Sequence, residues 1–138
     1  MKAYLNRFAQ QLLAILVSAP ATVTTVGKSL RILPDQTDNQ TDASQDYRFP
    51  STMNFVGGSG SPTAVLVIQG SVDGVTWFDV APGTNRTAPG VYQEIIDVPA
   101  APLMPWIRAK LQLGGTTPPT VDAIVEIIST GAFQLSPT

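Results

Sequence analysis

Thr63-Ala-Val-Leu-Val-Ile-Gln-Gly-Ser-Val-Asp-Gly-Val-Thr-Trp-Phe-Asp-Val80 decides the fold of this chain. The apolar run Ala64–Ile68 leads into Asp73-Gly74, and Trp77-Phe-Asp-Val80 leads out. Asp-Gly is a strong short-range hairpin signal, because a two-residue type I′ turn needs positive φ at both central positions. The stretch therefore predicts two antiparallel strands, Thr63–Gln69 and Val75–Val80. Asp73 and Gly74 form the hairpin turn, with Trp77 just past it.

Outward from that hairpin the chain reads as short strands between turn signals. Met53–Val56 precedes Gly57-Gly-Ser-Gly-Ser-Pro62, and Pro82-Gly83 and Pro89-Gly90 bracket a loop. Val91–Val98 stops at Pro99-Ala-Ala-Pro102, and Trp106–Leu113 stops at Gly114-Gly115. Thr120–Ser129 is the last long strand, with a short one at Phe133–Leu135. Spacing of roughly 10–15 residues with Gly and Pro turns argues an all-β fold, a β-sandwich or jelly roll, rather than βαβ units. Arg108 and Lys110 fall on one strand face, opposite Ile107, Ala109 and Leu111. Trp77, Phe78 and Trp106 are read as core or strand-edge packing in preference to sugar-stacking platforms.

The first seventeen residues read differently. Tyr4, Leu5, Phe8, Leu12, Ile15 and Leu16 follow helical spacing, and Lys2, Asn6, Arg7, Gln10 and Gln11 lie mostly off that stripe. An amphipathic helix ending before Pro20 is expected. An isolated helix of that length is marginal in water, so the six apolar residues are candidate interface residues, packing on another subunit or helix. A secretory leader is the competing reading, with Ala19-Pro-Ala21 as its cleavage site. Its apolar run is short and interrupted upstream, which favours the helix.

Residues 21–33 are β-branched and predict a strand or two. Asp35, Asp38, Asp42 and Asp46 then punctuate a polar stretch. It lacks the alternate-position carboxylates and central Gly of a calcium loop, and reads as a solvated surface loop with no metal. Asn39-Gln-Thr41 and Asn85-Arg-Thr87 match the glycosylation acceptor pattern by chance alone. The expected organisation is 1–33 as helix and arm, 34–50 as Asp-rich linker and 51–138 as sandwich domain.

Composition narrows the chemistry. The 138 residues include no His and no Cys. That removes His-based triads, imidazole–zinc sites, Cys nucleophiles and disulfide frameworks. No catalytic residue and no cofactor is expected. The net charge of −2 offers no basis for capturing nucleic acid or an anionic membrane. Charged residues make up only 13%, against about 25% in an average soluble domain, which suits surfaces that pack on protein.

Val65–Trp77, followed by Val98-Pro99, Pro105-Trp-Ile-Arg-Ala109 and Leu111-Gln-Leu-Gly-Gly115, resembles small virion proteins of tailed bacteriophages. In these a Gly-Ser-x-Asp-Gly-x-x-Trp hairpin precedes an Arg-bearing strand and a Gly-Gly turn. The resemblance covers residues 63–131. It implies a non-enzymatic structural role: a capsid decoration or cement protein, or a head-fibre, neck or tail component. Its partners would be the major capsid protein or other virion proteins and further copies of itself, in a virion assembled in the host cytoplasm. A similar hairpin occurs in carbohydrate-binding sandwiches. The alternative is therefore a carbohydrate-binding module of a phage fibre or bacterial surface protein.

Overall fold

Alternation of apolar and polar residues builds the centre of the molecule. In the strand Trp106–Gly114, Ile107, Ala109, Leu111 and Leu113 are buried while Trp106, Arg108, Lys110 and Gln112 are not. A period of two puts the first set on one sheet face and the second on the other. The computed structural model describes residues 10–18, 24–34, 47–98, 105–129 and 133–137. Its strands are β1 (Gln10–Ser18), β2 (Thr24–Val26), β3 (Leu30–Pro34), β4 (Tyr47–Val56) and β5 (Thr63–Ser71). They continue with β6 (Phe78–Pro82), β7 (Gly90–Val98), β8 (Trp106–Gly114), β9 (Thr120–Ser129) and β10 (Phe133–Pro137).

The strands form two antiparallel sheets. The four-stranded sheet has the order β1-β9-β4-β7, and the larger has β10-β3-β8-β5-β6 with β2 also on β8. β5 pairs along the whole of β8, so β2 and β3 share the other edge of β8, opposite Lys110–Gln112 and Trp106–Ile107 respectively. Phe49, Met53 and Phe55 of β4 and Val121, Ala123, Val125 and Ile127 of β9 join the buried residues of β5 and β8 in one core. Two sheets sharing one apolar interior is an arrangement consistent with a β-sandwich.

The strand positions expected downstream of residue 50 are found, with β4 and β10 longer than anticipated and β6 starting at Phe78. The N-terminal stretch differs. Residues 10–18 form β1, antiparallel to β9 with Ile15 opposite Ile124 and a register shift between Leu12 and Ala14. The helix expected over 1–17 is therefore not formed there, and residues 1–9 lie outside the described residues. The apolar run Leu12–Val17 carries no period that excludes either a helix or a strand, and the edge of β9 offers backbone partners that decide for the strand. β1, β2 and β3 are members of the two sheets, so the described part of 1–33 is not an arm outside the sandwich. Residues 47–50 belong to β4 rather than to a linker. The Asp-rich residues 35–46 lie outside the described residues.

At one end of the molecule the β4–β5 and β8–β9 connections pair with each other. Ser59 and Thr117 exchange backbone hydrogen bonds of 3.0 and 3.1 Å, and the Thr116 amide donates to the Gly60 carbonyl at 3.1 Å. Gly60 sits at φ 64° with the Thr116 side chain where a Cβ would be. Only glycine fits that position without strain.

Candidate functional site

The β5–β6 connection is a hairpin, but a wider one than a two-residue turn. Gly74 has φ 77°, whereas Asp73 is not among the positive-φ residues, so the turn is not type I′. Asp73 works through its side chain instead. Its Oδ1 accepts from the Ser71 hydroxyl at 2.9 Å and from the amides of Val75 and Thr76 at 2.8 Å each. The buried Ser71 Oγ in turn accepts from the Gly74 amide at 2.8 Å. This Asx-type cradle replaces the backbone turn. The Thr76 and Val75 amides, followed by the Ser71 hydroxyl, hold the Asp73 carboxyl down to about 2. A Cβ on Gly74 would lie 3.4 Å from the Trp106 ring, so the tip rests against that indole.

Beside the tip, the outer face of the larger sheet carries a linked set of polar groups. Register places Gln69 opposite both Arg108 and Asp79. Arg108 Nε donates to Gln69 Oε1 at 2.8 Å, and Gln69 Nε2 donates to Asp79 Oδ1 at 2.8 Å. Lys110 Nζ reaches the same Asp79 Oδ1 at 3.0 Å. The Gln69 amide, then the Lys110 ammonium, lowers the Asp79 carboxyl below its ordinary value. The Arg108 guanidinium lies 4.2 Å from the centroid of Trp77, and burial lowers its basicity. Arg108 and Lys110 thus share the outer face as their spacing predicts.

Trp77 and Trp106 are both half-buried, with Arg108 over one ring and the hairpin tip against the other. A sugar-stacking platform needs an open aromatic face. Phe78 is more open at 53% exposure, and Val72 and Val75 at the tip are exposed at 69% and 79%.

The outer face of the four-stranded sheet is a second candidate surface. Ile15 and Ile124 pair across β1 and β9, Thr52 stands opposite Ile124, and Gln93 stands opposite Thr52. Ile15, Ile95, Ile124, Val56 and Val91 are all exposed. A groove of about 370 Å³ runs between Pro50, Thr52, Gln93, Ile95, Ile124 and Glu126.

Of the six apolar residues singled out as an N-terminal interface, Tyr4, Leu5 and Phe8 lie outside the described residues. Leu12 lies in β1 opposite Glu126. Ile15 is exposed on this sheet face, but Leu16 is 1% exposed and belongs to the core. Ile95, Val91 and Ile124 were not anticipated. The signal for Ile95 and Ile124 was the doublets Ile95-Ile96 and Ile124-Val125, where alternation forces one member of each pair outward. Comparison of the chain with protein-family models, curated proteins and solved structures gave no match.

Proposed function

We propose that this protein is a non-enzymatic structural component of a bacteriophage virion, a decoration or cement protein that stabilises the capsid by protein–protein contact. The observation that carries the reading is the outer face of the four-stranded sheet, where Ile15, Ile95, Ile124, Val56 and Val91 stand exposed. Exposed aliphatics gathered on one face mark an interaction surface more than isolated ones do. Thr52, Asn54 and Gln93 between them add hydrogen-bonding groups at little desolvation cost.

The strand order supports the same reading. β1-β9-β4-β7 facing β3-β8-β5-β6 is the order of two interlocked Greek keys, the jelly roll used by viral capsid and lectin domains. The phage-like hairpin of residues 70–77 is held by its own hydrogen bonds and presents a defined shape. A decoration protein acts by repetition, since each contact raises the effective concentration for the next. A stable contact set would cover roughly 1,000 Å² or more. Homo-oligomers on the lattice follow from that need.

The half-buried Trp77 and Trp106 favour the structural role over carbohydrate binding. Native mass spectrometry and co-sedimentation with shells of the major capsid protein test the proposal. The native chain should oligomerise and sediment with shells, and an Ile95→Asp, Ile124→Asp double variant should do neither while keeping its melting temperature. A monomeric native chain that stays in the supernatant would refute it.

A further inference from the structure

Among the described residues, Arg108 is a half-buried cation that forms no ion pair with a carboxylate. The described ion pairs are Arg48–Asp97, Arg86–Glu94 and Lys110–Asp79, so Asp79, which Gln69 links to Arg108, is taken by Lys110. Among the described residues, the hydrogen bond that holds Arg108 runs from its Nε edge to Gln69 at 2.8 Å. Trp77 covers the guanidinium plane at 4.2 Å, which fixes its orientation. A guanidinium held by stacking on one side and a hydrogen bond at Nε presents its terminal nitrogens with little left to reorganise. Around it stand Trp106 on the same face of β8, Phe78, and the exposed tip residues Val72 and Val75. Trp and Arg are among the residues most enriched at interface hot spots, and Phe is enriched at interface cores.

We propose that the Trp77–Arg108 pair and the β5–β6 hairpin tip form a docking site for a partner protein, with Arg108 receiving the carboxylate of an Asp or Glu side chain flanked by apolar residues. The inference rests on the structural role proposed above and names the chemistry of one partner surface. Charge complementarity selects the occupant: an apolar surface without an acid would bury Arg108 unpaired, which is strongly unfavourable. Partial burial already lowers the basicity of this guanidinium, so an anionic acceptor restores what the surroundings withhold. Arg in place of Lys suits bidentate capture of a carboxylate. The pair is distinct from the four-stranded sheet face, so one subunit carries two surfaces and can bridge two neighbours.

The test is an NMR titration of the full chain with three probes, following the Trp77 indole N–H and the Gly74 amide. The probes are a short peptide with one aspartate between two leucines, its asparagine counterpart, and glucuronic acid. The aspartate peptide should shift both signals saturably and bind about tenfold tighter than the asparagine peptide. Arg108→Lys should weaken the aspartate peptide about fivefold or more with both signals still those of a folded chain. Equal binding of the two peptides, or no effect of Arg108→Lys, overturns the proposal. Glucuronic acid binding as tightly as the aspartate peptide overturns it in favour of an acidic-sugar site. If capsid shells bind both the native chain and the Arg108→Lys variant equally, the structural role stands and this site falls. If the aspartate peptide binds as expected but shells do not, the docking site stands and the capsid reading falls.

Discussion

Gln69→Leu is the most informative single change to the fold. Gln69 is 7% exposed and bridges a cation and an anion on the outer face of the larger sheet. A hydrogen bond to a charged group contributes about 1.5–3 kcal/mol. The Asp79 side chain is 56% exposed and keeps Lys110, so screening reduces its share to under about 1 kcal/mol. Arg108 is half-buried and loses its described hydrogen-bond acceptor, which leaves about 1.5 kcal/mol on that side. The expected destabilisation is about 2 kcal/mol. For a chain of 138 residues this lowers Tm by about 7 °C. Thermal melts followed by near-ultraviolet circular dichroism read both the transition and the Trp77 environment. In an Arg108→Met background the same substitution should cost about 1 kcal/mol less, because the two residues share one interaction. A Tm within about 2 °C of the native chain would refute the view that Gln69 organises this face.

Gly60→Ala should destabilise by about 2–4 kcal/mol, combining left-handed backbone strain with a collision against Thr116, and urea unfolding measures it. Asp73 should titrate near 2 rather than at the ordinary 3.8. The folded value is depressed, so its stabilising effect is complete above 3.8 and disappears as the pH falls through about 2. Amide shifts of Val75 and Thr76, whose N–H groups bond that carboxylate, report the titration directly.

Much of the β-rich part was legible because several of its strands alternate and most are bounded by Gly or Pro. Trp106–Gly114 and Thr120–Ser129 were readable almost to the residue. β1 was not, since Leu12-Leu-Ala-Ile-Leu-Val17 carries no period that excludes a helix, and its partner is remote in sequence. The Asp73 turn was placed correctly and typed wrongly. Asp-Gly permits a type I′ turn, but a buried Ser71 hydroxyl two residues earlier offers the side chain a better set of donors. The Arg108–Gln69–Asp79 chain had only one clue, a Gln closing an apolar run. Pairing registers, not composition, bring those three side chains together.

The strand order also sets a timetable for synthesis. Among the described strands only β5 and β6 are both consecutive and paired, so that hairpin can close as soon as it emerges. β1 must wait for β9, about a hundred residues later. At ribosomal speed that is on the order of ten seconds, during which its apolar run lacks the strand it pairs with in the folded protein. Such an ordering makes folding slow and gives the nascent chain a window for pairing with a neighbour's strand. In this protein β1 is made before every other described strand and is among the last to be secured.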